Sequence, residues 1–334
     1  MLRPEGELFV ASLLLSFVAQ AAVIWWVHRY HLLMDWHTAD KPQRFHDEPT
    51  PRAGGVGVVV GLLPFFVTSW GRMVALGALL AFVSGAVEDF YQRISPLRRL
   101  GLQLVAALAA VAGAHAVVTY LGLGITLPYA VGVLFSAFAI VGFMNAVNFI
   151  DGMNGLAAGT VLVILLSFGV TAWRMGDAQL LGMGAATAGA TLGFLLWNFP
   201  AGRIFLGDGG AYLLGFLVAL MGIFLAGRHE SVSPWYVFAV LIYPVWEVIF
   251  SILRRKRSRQ SAMHPDSDHL HTLIFRAWGR SHTVTTLTLL GMMAPVVGVA
   301  TLYPHHSAVN MAAALTYILG YTLLYTLLKR RLAG

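Results

Sequence analysis

Several groups of residues in this 334-residue chain have types and spacings suited to holding a charged ligand. Asn145, Asn148 and Asp151 recur at i, i+3 and i+6, which spreads them over about 120° of one helix face. Gly152, Asn154 and Gly155 follow, so the stripe runs into a tight turn. Polar groups so placed line a hydrated cleft, or else bond to neighbouring helices and cap their own. A second run starts at Asn198 and reaches Asp208 between glycines, at or near a helix start. A helix N-terminus binds phosphate, and a carboxylate beside it can hold a magnesium ion bridging to that phosphate. The plain alternative is an Asp N-cap. The adjacent carboxylates Glu88 and Asp89 fit a cation site or a proton-handling pair, or a solvated loop paired with Arg93, Arg98 or Arg99. His264, His269 and His271 stand among Asp266, Asp268, Arg276 and Arg280. Without a zinc motif such as H-E-x-x-H, that set suits phosphate or nucleotide better than zinc; a pH-sensitive polar loop is the alternative. Arg44 and His46 belong to a proline-stiffened basic loop, Asp40 to Gly55, fit for an anionic partner or for fixing topology.

The elements that must position these groups are set by composition. Apolar residues make up 58% of the chain and charged residues 11%, with a mean hydropathy of +0.73. Soluble domains carry about 25% charged residues, so lipid must be the solvent for most of this surface. Cysteine is absent, which excludes disulfides, thiol nucleophiles and cysteine-ligated metals. No P-loop, nucleophile elbow or dinucleotide fingerprint occurs.

Eleven apolar stretches approach the ~20 residues that cross a bilayer, with ten as the other reading. They run roughly over 8–27, 54–69, 73–87, 97–118, 129–149, 155–173, 178–197, 211–226, 235–253, 285–302 and 308–328. The expected fold is an all-α, multi-pass membrane protein forming a single domain over 1–334. The first stretch reads as an uncleaved helix, because its apolar run continues past Ala19-Gln20-Ala21 to Val27 and two Glu precede it. With eleven spans, 18 of the 22 Lys and Arg fall on one side, which the positive-inside rule makes cytoplasmic. Ten of the 15 carboxylates fall there too. The net charge of +7 is then a topology signal and an attraction to anionic lipid, not a nucleic-acid patch.

The motifs come in a specific order: D-K-P…H…P-x-x-G-G, an acidic pair, N-A-x-N-x-x-D-G-x-x-G-L, N-F-P-x-x-x-x-x-G-D-x-G and H-L-H. This order, from about Asp40 to His271, resembles the polyprenyl-phosphate N-acetylhexosamine-1-phosphate transferases. The resemblance implies transfer of a sugar 1-phosphate from a UDP-amino sugar to undecaprenyl or another polyprenyl phosphate, with release of UMP. It implies Mg²⁺, with Mn²⁺ as a substitute, a plasma (inner) membrane location with the site facing the cytoplasm, and a role in starting a cell-envelope polysaccharide; a homodimer is left open. It makes Asp208 the metal ligand and assigns Asp89, Glu88 and Asp151 to catalysis. Asn145, Asn148, Asn154, Asn198, Arg44, His46, His264, His269 and His271 fall to substrate binding. Two departures stand out: many members have Asp where this chain has Glu88, and a second carboxylate where it has Asn154. They move the chain toward the members that prime surface polysaccharides. A transporter or flippase for an anionic or lipid-linked solute is the competing class, although no inverted repeat is visible. A CDP-alcohol phosphotransferase would need a D-G-x2-A-R run that is absent.

Overall fold

The computed structural model describes residues 3–30, 50–91, 94–257 and 268–333, and these form thirteen helices with no strand among them. The helices are α1 (Pro4–Tyr30), α2 (Gly54–Phe66), α3 (Ser69–Tyr91), α4 (Pro96–Ala114), α5 (Tyr129–Ile150), α6 (Leu156–Arg174), α7 (Ala178–Asn198), α8 (Gly207–Arg228), α9 (Pro234–Val240), α10 (Ile242–Arg257), α11 (Leu270–Ala277), α12 (His282–Leu302) and α13 (Ser307–Ala333). Arg44, His46 and His264 lie outside the described residues.

Nine of these helices are long and apolar enough to cross a membrane, and ten crossings result if α9 and α10 count as one broken span. The second expected stretch, 54–69, became α2, which has 13 residues and contains Pro64. At 1.5 Å per residue it is about 20 Å long, short of a hydrocarbon layer of about 30 Å. The stretch expected over 235–253 is broken by a 75° bend at Leu241. Pro244 supplies the cause, because it has no N–H to bond the carbonyl of Val240 and its ring crowds that carbonyl.

The helix ends alternate between two faces. At one face Gly54 and Gly55 donate their N–H groups to Phe205 O and Leu206 O, both at 2.9 Å, and Phe205 donates to Pro51 O at 2.8 Å. The ends of α3, α5 and α7 and the starts of α4, α6 and α8 meet there. At the other face Asp177 N-caps α7 through Leu180 N–H and pairs with His229 at 3.0 Å and Arg228 at 3.6 Å. The Arg228 guanidinium also lies 5.1 Å from the Trp70 ring, so even short α2 delivers the chain to that far end.

Helix α8 is buried along its whole apolar length and forms the axis of the bundle. Around it α1, α4 and α13 expose leucines such as Leu14, Leu97 and Leu319, as a lipid-facing ring must. Lipid tails give apolar side chains little reason to move inward, so polar bonds help hold this ring. Ser16 Oγ donates to Ala190 O at 2.8 Å, tying α1 to α7, and Gln20 Nε2 donates to Gly54 O at 2.8 Å, tying α1 to α2.

Candidate active site

Asp208 stands in the first turn of α8, and each of its carboxylate oxygens has a partner. Asn148 Nδ2 donates to Oδ1 at 2.9 Å from the end of α5. Arg99 Nη1 donates to Oδ2 at 3.3 Å from the first turn of α4, which Pro96 helps to start. The Arg99 side chain keeps 27% of its surface exposed, so its guanidinium has room for another anion.

Asp89, at the end of α3, reaches the same turn. Its Oδ1 accepts the Asp208 N–H at 3.0 Å and its Oδ2 accepts the Gly209 N–H at 2.9 Å. The approach depends on two glycines. A Cβ on Gly85 would lie 2.3 Å from the Asp208 carbonyl carbon, and Gly207 adopts φ +75°, where a side chain would also meet Asp89. Two N–H groups of the helix terminus, expected to be free for phosphate, are therefore occupied by a carboxylate of the protein itself.

Asp151 is the C-cap residue of α5 and is half-buried. Burial pushes its carboxyl up to about 7; the Arg52 guanidinium opposes this, and the charges of Asp208 and Asp89 add to it. Three carboxylates and two arginines thus share one polar end, with Arg52 acting on Asp89 as well as Asp151. Glu88 is used locally, its Oε2 accepting the Ile94 N–H at 3.1 Å.

The remaining asparagines hold the frame. Asn145 donates to Gln103 Oε1 at 2.7 Å and to Val141 O at 2.8 Å, so it joins α5 to α4. Asn198 Oδ1 accepts the Gly155 N–H at 2.6 Å while its Nδ2 donates to Ile204 O at 2.8 Å. Asn154 Nδ2 donates to Pro200 O at 3.0 Å, and its carbonyl accepts from Thr286 Oγ1 at 2.7 Å. Asn154 and Asn198 are both buried and lock the 151–155 turn to the 198–207 loop.

His269 and His271 sit against that turn. Their rings stack at 5.1 Å and 10°, and Phe149 meets His269 edge-on at 4.5 Å. A Cβ on Gly152 would stand 3.0 Å from His271 Nε2. Burial lowers the His271 pKa to about 4; Glu247 pulls it up and His269 pushes it further down.

Among the described residues no three His, Cys, Asp or Glu side chains form a ready metal cage. A magnesium ion does not require one, because it takes one or two carboxylates and completes its shell with phosphate oxygens and water. Clustered carboxylates that oppose the ionisation of Asp151 fit such a cation, and Asp208 and Asp151 are the residues that could hold it.

A family model described as Glycosyl transferase family 4 matches residues 72–226. The chain is 31% identical over 264 residues to a probable undecaprenyl-phosphate N-acetylglucosaminyl 1-phosphate transferase of Bacillus subtilis, covering 75% of this chain and 73% of that protein. The chain belongs to this family. It is also 31% identical over 329 residues to a decaprenyl-phosphate N-acetylglucosaminephosphotransferase of Mycobacterium tuberculosis, covering 85% and 80%. An undecaprenyl-phosphate alpha-N-acetylglucosaminyl 1-phosphate transferase of Escherichia coli O157:H7 is 27% identical over 289 residues, covering 80% and 77%. The family segment contains Asp89, Asn148, Asp151, Asn198 and Asp208, and His269 and His271 lie beyond it. The transporter reading is not favoured.

Three residues of the site were not singled out by motif reading. Arg99 was weighed as a partner of the acidic pair and instead holds Asp208. Arg52, beside the P-x-x-G-G glycines, lies in the field of the carboxylates. Glu247, a lone carboxylate within the apolar stretch 235–253, meets His269. Its depth was the signal, since an ionisable residue there is a functional candidate by default.

Proposed function

We propose that the protein transfers an N-acetylhexosamine 1-phosphate from a UDP-amino sugar to undecaprenyl or another polyprenyl phosphate, releasing UMP. The observation that carries this reading is the Asp208 carboxylate, held by Asn148 and Arg99 beside Asp89 and Asp151 at one end of a lipid-exposed bundle. An amphiphilic acceptor needs both parts: apolar helices for its tail and a charged end for its phosphate.

In this scheme an oxygen of the lipid phosphate attacks the β-phosphorus of the UDP-sugar. A new P–O bond forms, the bond from that phosphorus to the bridging oxygen breaks, and UMP leaves with the electron pair. Arg99 and Arg52 reduce the repulsion between the two phosphate groups. Asn148 fixes the orientation of Asp208, and Asp89 fixes the helix turn that carries it. Asp208 and Asp151 would hold Mg²⁺. The chemistry such an ion supplies is charge neutralisation on the diphosphate and on the departing UMP. His269 and His271 are assigned to the nucleotide side. The polar end faces the cytoplasm, where UDP-sugars are made, and the grouping of 18 of 22 basic residues on that side supports the orientation.

The test is direct. Purified protein, Mg²⁺, undecaprenyl phosphate and a panel of UDP-sugars are combined, and UMP and lipid product are measured. Lipid-dependent UMP release with one UDP-amino sugar is expected. Transport of solute into vesicles without UMP would restore the transporter class.

A further inference from the structure

Glu247 is almost completely buried, with 1% of its surface exposed, within the apolar stretch 235–253. A carboxylate in such a place costs several kcal/mol unless its oxygens are bonded. Here both oxygens are engaged. Oε1 accepts the Leu270 N–H at 3.2 Å and lies 3.4 Å from His269 Nδ1. Oε2 accepts the Tyr321 hydroxyl at 2.7 Å.

These partners come from different elements. Leu270 opens α11, His269 is its N-cap residue, and Tyr321 belongs to α13. Glu247 lies on α10, just beyond the bend that follows Val240. One carboxylate oxygen accepts the first N–H of α11 and faces, at 3.4 Å, the imidazole Nδ1 of its N-cap residue. That ties the direction of the helix to the rotation of the ring. His271 stacks on His269 and stands against Gly152, so the setting of the first ring passes to the second. A carboxylate beside one ring nitrogen of a histidine leaves the other nitrogen for a ligand.

We propose that Glu247 is a positioning residue for the nucleotide end of the site, acting through His269: it fixes the ring and start of α11 so that the His269–His271 pair is set against the Asp151–Gly155 turn. The proposal rests on the reading of those histidines as nucleotide-side groups. No role in proton transfer to substrate is assigned to Glu247.

The experiment uses the full-length protein with Glu247→Gln, His269→Ala and the double variant. Separate KM values for UDP-sugar and polyprenyl phosphate are measured, together with kcat and the thermal midpoint. Gln keeps the shape and one acceptor but loses the charge that holds the imidazole. Glu247→Gln is expected to raise the UDP-sugar KM by about tenfold or more, by analogy with the effect that outer partners of metal-binding histidines carry. The lipid KM should stay within about twofold. The double variant should be no worse than His269→Ala alone, because residues acting through one another are not additive. Tyr321→Phe, which leaves the charge and removes one donor, should raise the same KM by a smaller factor.

The proposal is overturned if the double variant loses the product of the two single factors. It is overturned equally if Glu247→Gln lowers the thermal midpoint while the surviving enzyme keeps its UDP-sugar KM. If His269→Ala moves the lipid KM instead, the nucleotide-side reading fails; the proposal as stated fails with it, while the cycle still reports whether Glu247 works through His269.

Discussion

Asp89 caps the helix that carries Asp208. Its two carboxylate oxygens take the N–H groups of Asp208 and Gly209 at 3.0 and 2.9 Å, although 119 positions separate Asp89 from Asp208. A capping carboxylate also meets the positive end of the helix dipole, so the bond pair is charge-assisted. Asp89 therefore sets the place of the helix turn that carries the Asp208 side chain.

Asp89→Asn should lower stability and activity together. The amide presents an NH₂ group to one of the two N–H donors, leaving that donor without an acceptor. Loss of a cap costs about 1–2 kcal/mol, and activity should fall at least tenfold as Asp208 loosens. Glu88→Asp should retain much of the activity, since Glu88 bonds only the Ile94 N–H. The checks are thermal midpoint and UMP release. An inactive Asp89→Asn with an unchanged midpoint would mean that Asp89 meets substrate directly.

Asp208→Asn is expected to behave differently. The amide can still accept from Asn148 or Arg99, so the fold should hold, while a hard, charged oxygen is lost. Activity should drop by at least about a hundredfold, with the midpoint within a few degrees of the parent. Normal turnover at limiting Mg²⁺ would reduce Asp208 to a structural residue of the α8 start.

These cases mark what could be read from the sequence. The glycines around Asp208 announced a helix start beside a ligand, and the helix is there. The Asn145–Asn148–Asp151 stripe announced a polar face but not its division: Asn148 meets Asp208, whereas Asn145 meets Gln103. The difference of one helical turn is set by where α4 crosses α5, a non-local fact. The same holds for Arg99 and Glu247, whose partners lie 109 and 22 or more positions away. Among the described residues nine helices, or ten with the bent pair, are long enough to cross, which meets the reading of ten stretches and not that of eleven, for a local reason. Apolar composition continues through α2 and through the bend at Leu241, yet hydropathy does not register the breaks that prolines impose on backbone bonds.

Orientation can be tested on a chain that has no native cysteine. Ser95 is exposed at the polar end and His305 is exposed at the opposite one. In intact cells, Ser95→Cys should resist a membrane-impermeant thiol reagent and His305→Cys should react. The reverse pattern would overturn the proposed cytoplasmic site and the access of UDP-sugar to it.

His271 makes stability depend on pH in a defined sense. Its pKa is about 4 in the fold, against an ordinary 6.5, because burial disfavours the charged ring. Between those values the unfolded chain binds more protons than the folded one, so stability is present above about pH 6.5 and is lost as pH falls toward 4. The span corresponds to on the order of 3 kcal/mol. The thermal midpoint should fall through that window in the parent protein and fall less in His271→Gln. Equal slopes in both proteins would show that the ring does not carry this effect.

The transfer itself could go by direct attack or through a carboxylate that first takes the sugar phosphate. Charge argues for direct attack. A phosphate monoester has a second pKa of about 6, so the lipid phosphate is already mostly dianionic near pH 7 and gains little from a base. The obstacle is repulsion between two phosphate groups, and Arg52 and Arg99 are placed to reduce it. The carboxylates are poorly placed as nucleophiles: Asp89 is bonded to two backbone N–H groups, and both oxygens of Asp208 are held by side chains. Asp151 is left, and the scheme proposed above uses its carboxylate to hold Mg²⁺, which leaves it poorly free to attack. UDP-sugar and Mg²⁺ without polyprenyl phosphate should therefore release no UMP, and Asp151→Asn should slow the complete reaction without creating or removing a burst. Quenched-flow measurement with sugar-labelled substrate gives the answer. A stoichiometric burst of UMP in the absence of lipid, with labelled sugar phosphate retained on the protein, would sink direct attack and point to Asp151 as the nucleophile.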